Sequence, residues 1–168
     1  MKTRICILLF SSFVCACEIK VNTPSPGKDN PASKIRNDVK CTEKGLKVKQ
    51  AFLLYEDGSL VEEGNKINVN EKVILRLVLD GFIEENGRVQ PGATEKISTS
   101  EGQVLLESDD LFASYPDGMR AEEAGLLSLS AVITSIDKLY DYFLVQFRVW
   151  DKKQGGGEIT GFYKLYLK

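Results

Sequence analysis

The chain has 168 residues, 43% hydrophobic and 27% charged, with a formal net charge of -2 and no histidine. Such a composition is that of a globular domain, long enough to bury a core without disulfides. The missing histidine excludes Ser-His-Asp and Cys-His nucleophilic sites and His-containing zinc sites, and the absence of a block of consecutive Lys or Arg argues against nucleic acid as a partner.

In chain order the first element is an export signal. Lys2 and Arg4 precede an apolar stretch from Ile5 to Val14, about ten residues, far short of the roughly 20 that span a bilayer. Val14-Cys15-Ala16-Cys17 then reads as a lipobox, with an aliphatic residue three positions before, and a small residue directly before, the cysteine whose thiol takes the lipid. Residues 1–16 are therefore expected to be a lipoprotein signal peptide and Cys17 the lipid attachment site; ordinary cleavage after Ala16, leaving a free terminal thiol, is the competing reading. Residues 17–44 hold three of the five prolines, Pro24, Pro26 and Pro31, among Asn, Ser, Lys and Asp, the composition of a flexible tether. Beyond Cys17, Cys41 is the one remaining thiol, a small buried hydrophobe or a dimer bridge.

From residue 45 onward the pattern alternates with the period of half-buried strands. Val48, Gln50, Phe52 and Leu54 mark an opening strand. Val73, Leu75, Leu77 and Leu79 share one face of a second, with Lys72, Arg76 and Asp80 on the other, up to Gly81. Leu127, Leu129, Ala131 and Ile133 form a third, and Phe143, Val145, Phe147 and Val149 a fourth. Ile159, Gly161, Tyr163, Leu165 and Leu167 form the last, against Thr160, Lys164 and Lys168. Asp57-Gly58, Asn86-Gly87, Asp117-Gly118 and Gly155-Gly156-Gly157 supply turns between them. Helical hints are confined to Asp109–Ala113 and Met119–Ala124, too short for the crossovers of a parallel sheet. The expected fold of residues 45–168 is all-β, an antiparallel β-sandwich of about seven strands of immunoglobulin-like size, with a closed barrel as alternative.

Little in the chain promises catalysis, so no catalytic residue, metal site or cofactor is assigned. Acids are abundant at Glu84-Glu85, Asp109-Asp110, Asp117, Glu122-Glu123, Asp137 and Asp141. An enzymatic pair would need two of them facing across a cleft, and calcium at Asp109 and Asp110 would lack the spacing of a dedicated loop; solvated surface charge is the simpler reading. Trp150, the single tryptophan, shares the face opposite Phe143 and Val145 with Leu144, and Tyr140 and Tyr142 lie close by in the same alternation. Such an aromatic stripe is either the second buried face of a central strand or a platform that stacks sugars or meets a partner.

Gly81-Phe82, Glu85-Asn86-Gly87-Arg88 with Pro91-Gly92, Asp110-Leu111-Phe112, and Trp150-Asp151-Lys152 followed by Glu158-Ile159 resemble a group of small, uncharacterised bacterial lipoproteins with an immunoglobulin-like domain. The likeness covers residues 47–168. It implies a shared framework and carries no catalytic residue over. The expectation is thus a lipid-anchored envelope protein, periplasmic or surface-exposed, with a non-enzymatic binding domain for an envelope protein or glycan; carbohydrate binding through exposed aromatics is the narrower alternative.

Overall fold

The computed structural model describes residues 35–134 and 136–168. The signal-peptide segment, Cys17 and the tether up to residue 34 lie outside the described residues. The strands are β1 (Lys40–Lys44), β2 (Lys47–Tyr55), β3 (Lys66–Ile67), β4 (Lys72–Asp80), β5 (Arg88–Val89), β6 (Pro91–Thr99), β7 (Val104–Glu107), β8 (Met119–Arg120), β9 (Leu126–Val132), β10 (Phe143–Asp151) and β11 (Glu158–Leu167), with one helical turn, α1 (Ala121–Ala124). The larger sheet runs β1-β11-β10-β6-β7, with β3 pairing β11; the smaller is β2-β4-β9, and β5 pairs β8. Among the described strands every pairing is antiparallel except β3 with β11.

The two sheets pack together because the alternating residues of each supply one apolar face. Leu75 and Leu77 of β4 and Leu127 and Leu129 of β9 join Phe143, Val145 and Val149 of β10 and Ile159, Tyr163 and Leu165 of β11 in a single buried cluster. Each fully buried Leu or Phe contributes roughly 1.5–3 kcal/mol. Among the described residues neither sheet closes on itself: β1 and β7 end the larger one, β2 and β9 the smaller. The closed-barrel alternative therefore does not hold. The β1 edge carries Lys40 and Lys44, which discourage further pairing, whereas β7 presents Val104, Leu105 and Leu106, each 44–47% exposed.

Four features depart from the sequence reading. The expected alternation of Val48, Gln50, Phe52 and Leu54 breaks at a register shift between Val48 and Gln50, so that Val48, Ala51 and Leu53 are the buried residues of β2; an extra residue in one strand flips every side chain after it to the other face. β1 lies inside the stretch assigned to the tether, paired with β11 from Lys40↔Phe162 to Lys44↔Glu158. Pro91–Thr99 forms a nine-residue strand between β10 and β7, although its proline, glycine and buried charge give no strand signal. The strands number eleven among the described residues rather than about seven, because two-residue ladders such as β3, β5 and β8 are too short for periodicity to register.

The turn assignments rest on backbone geometry. Asn86 and Gly87 have φ of 52° and 76°, and Glu85 and Arg88 exchange backbone hydrogen bonds of 2.8 and 3.0 Å across them. This is a two-residue hairpin whose twist requires positive φ at both positions.

Candidate functional site

Strand alternation that sends Phe143, Val145, Phe147 and Val149 inward turns Leu144, Gln146, Arg148 and Trp150 outward. On the outer face of the larger sheet Trp150 lies between Gly92 and Glu158, Arg148 between Thr94 and Thr160, and Gln146 between Lys96 and Phe162. The resulting surface is polar and partly open. Its centre is a depression of about 370 Å³ lined by Thr94, Lys96, Glu107, Gln146, Arg148 and Thr160 among others. Lys96 and Glu107 stand 3.4 Å apart across it.

The expected aromatic stripe is neither a buried second face nor a single platform. Trp150 is half-buried: its indole lies against Gly92, where a β-carbon would collide with the ring. Its other neighbour is Arg148, whose guanidinium carbon is 4.9 Å from the ring centroid. Arg148 is held there by Glu158, accepting from Nη2 at 2.7 Å and Nε at 3.0 Å. Tyr142 lies eight residues away, roughly 26 Å along an extended strand, with Lys164 Nζ 3.8 Å from its centroid and Tyr166 edge-on at 6.4 Å. Tyr140 stands apart on the loop before β10, its hydroxyl donating to Asp137 Oδ1 at 2.7 Å and its ring edge-on to Phe143 at 5.7 Å. That bond to Asp137, followed by burial, pushes the Tyr140 phenol up to about 12.

Phe162, absent from the sequence-level candidates, is the open ring of this face at 41% exposure. A signal for it existed: Thr160 and Lys164 mark the polar side of the last strand, and Phe162 and Tyr166 share their parity. Large aromatics at outward positions of a half-buried strand are informative because packing does not require them.

The loop acids are engaged in structural work or exposed. Burial disfavours the charged form of Asp110. Its contacts with Lys152, at 2.5 Å, and with the backbone N–H groups of Phe112 and Ala93 nonetheless hold its carboxyl below the usual range. Glu123 is lowered by its bond from Arg120 and Asp137 by that from Tyr140. Glu85 meets Lys153 at 3.0 Å, and Glu84, Asp109, Asp117, Glu122 and Asp141 are exposed. Among the described residues no group of three or more Cys, Asp and Glu side chains is placed to hold a metal ion.

Beneath the face lies an unusual acid. Glu95 of β6 points into the core at 4% exposure, and burial pushes its carboxyl up to about 7. Glu95 Oε1 and Tyr163 Oη are both buried with no hydrogen-bond partner among the described residues. Cys41, half-buried on β1, has its thiol pushed up to about 11 by burial and then by Glu43. At pH 8 it is almost entirely protonated, and alkylation of Cys41 by iodoacetamide, followed by peptide mass spectrometry, is expected to run about a hundredfold slower in the folded chain than in urea. Equal rates would show an accessible, ordinary thiol.

The described residues thus define a mainly β domain of antiparallel sheets packed together, with a polar, aromatic-bearing outer face. No family model matches the chain, and no curated protein matches its sequence. Among solved structures the fold is similar to that titled "Crystal structure of the C-terminal domain of wzt", with a TM-score of 0.51 and 11% identity, covering 81% of each chain. At that identity the likeness is one of fold.

Proposed function

We propose that this chain is a lipid-anchored protein of a bacterial cell envelope whose domain, an immunoglobulin-like sandwich, is a non-enzymatic binding module, and that its ligand surface is the outer face of the larger sheet. The anchor reading rests on Cys17 and the residues before it. Intact-mass measurement of the membrane fraction tests it: a lipid-sized increment on a chain beginning at Cys17, lost in Cys17→Ala, supports the anchor, and an unmodified soluble chain refutes it.

The observation that carries the binding reading is the register of β6, β10 and β11. It sets an amide, hydroxyls and both signs of charge around a 370 Å³ depression, with the open ring of Phe162 beside Gln146. Amide and hydroxyl groups beside an exposed ring match a glycan, whose hydroxyls need donors and acceptors and whose C–H faces stack on aromatics. An envelope protein is the alternative partner and would find the β7 edge, which has no second strand neighbour among the described residues. Binding to a panel of bacterial oligosaccharides, by the wild type and by Phe162→Ala and Gln146→Ala, tests the choice. A glycan bound by the wild type and weakened about tenfold by either variant supports it; no glycan bound, or binding indifferent to both variants, overturns it.

A further inference from the structure

At one end of the same face the edge of the larger sheet is interrupted. β1 pairs β11 only as far as Lys40↔Phe162, and β3 resumes at Lys66↔Tyr166, so on this side, opposite β10, β11 has no strand neighbour among the described residues at the level of Lys164. Two asparagines fill the break from the inside. Asn65 Nδ2 donates to the carbonyls of Lys164 at 2.9 Å and Asn37 at 2.8 Å, and Asn37 Nδ2 donates to Asn65 Oδ1 at 3.0 Å. Outside this lock is a cavity of about 550 Å³, lined by Asp38, Gly64, Asn65, Phe162 and Tyr166 with Lys40, Lys66 and Lys164, within the ~300–1,000 Å³ of small-molecule sites.

The charge balance of the cavity is one-sided in a chain whose net charge is negative. Its lining carries three lysines against one carboxylate. Among the described residues Asp38 pairs with Lys40 alone, at 3.5 Å. Lys164 Nζ is carried by the Tyr142 ring at 3.8 Å, a contact that leaves its hydrogen-bond donors unspent on any carboxylate. The Lys66 ammonium has no ion-pair partner among the described residues. Phe162 and Tyr166 supply ring surface on the same β11 face, two positions to either side of Lys164.

Resting on the glycan reading above, we infer that this cavity is an acidic-sugar subsite. The carboxylate of a uronic acid residue sits between Lys66 and Lys164 while its pyranose ring packs on Phe162. A charge-assisted bond from either lysine is stronger than a neutral one, so selection for acidic over neutral saccharides follows from the cavity itself.

The test compares trigalacturonate with the matching neutral trigalactoside on the full chain by isothermal titration calorimetry, with Lys66→Gln/Lys164→Gln as the variant and circular dichroism to show that it is folded. The expected result is trigalacturonate bound about tenfold more tightly than the neutral trimer, the preference vanishing in the variant and shrinking with added salt. If both trimers bind equally, or the lysine variant keeps the preference, the acidic subsite is wrong while the glycan face stands. If neither trimer binds and the oligosaccharide panel is also silent, both readings fall. Lysine-dependent binding to phosphatidylglycerol vesicles without binding to either trimer assigns the cavity to a lipid headgroup and overturns the inference.

Discussion

Glu95→Gln is expected to stabilise the domain by about 3 kcal/mol more at pH 8 than at pH 4, read from urea unfolding of wild type and variant at both pH values. The carboxyl is pushed up to about 7 in the folded chain because β6 points it into the core, with Oε1 unpaired. An acid with a raised folded pKa binds its proton more tightly when folded. Its stabilising protonated form is therefore fully present below the unfolded pKa, and the benefit is lost as pH rises through about 7. Above that, the folded state carries a buried carboxylate that the unfolded chain would solvate. Glutamine keeps the shape and never ionises, and subtracting wild type from variant at each pH removes the opposing contribution of acids such as Asp110, whose carboxyl is held low. An equal effect of the substitution at both pH values would mean that Glu95 is solvated or paired in the folded protein.

Asn65→Ala is expected to cost about 3–4 kcal/mol. Asn65 is 2% exposed with φ of 50°. Removing its amide strips the carbonyls of Asn37 and Lys164 of a donor and the Asn37 amide of an acceptor, three polar groups left in a buried setting at roughly 1 kcal/mol or more each. The left-handed backbone adds roughly 1 kcal/mol against alanine. Asn65→Gly recovers only that last part, so the two variants separate backbone from hydrogen bonds. Asn37 also accepts from the Leu53 N–H at 3.0 Å and donates to the Val61 carbonyl at 3.0 Å. The pair consequently ties the segment before β1 to the smaller sheet as well. Urea midpoints following Trp150 fluorescence give both values; a loss below 1 kcal/mol for Asn65→Ala would show that water replaces the amide at little cost.

These two effects arise where the sequence was least readable. The long strands were legible because burial on one face imposes alternation: β4, β9, β10 and β11 bury the residues whose parity marks them. The strand that carries Glu95 was not, since Pro91-Gly92 resembles a turn and a core-facing carboxylate breaks the pattern from which strands are recognised. The Asn37–Asn65 lock joins residues 28 apart, and each asparagine by itself reads as a loop residue. Of the three aromatic candidates, Tyr142 and Trp150 do belong to the outer side of the larger sheet, but parity says nothing about separation along a strand, and they stand at its opposite ends. Phe162 is hard to find from sequence because the alternation of the last strand is carried by its buried residues, and Thr160, Lys164 and Lys168 already supply a polar outer side. The slip in β2 has the same origin as its structure: a bulge is invisible to a rule that counts by two.

The most direct test of the outer face as the ligand surface is amide chemical-shift mapping of the full chain titrated with envelope polysaccharide from the source cells, cut to short oligosaccharides. Saturable shifts gathered at Thr94, Lys96, Gln146, Arg148, Thr160 and Phe162 are the predicted result. Saturable shifts on β2, β4 and β9 instead, or no shifts at all, would contradict it.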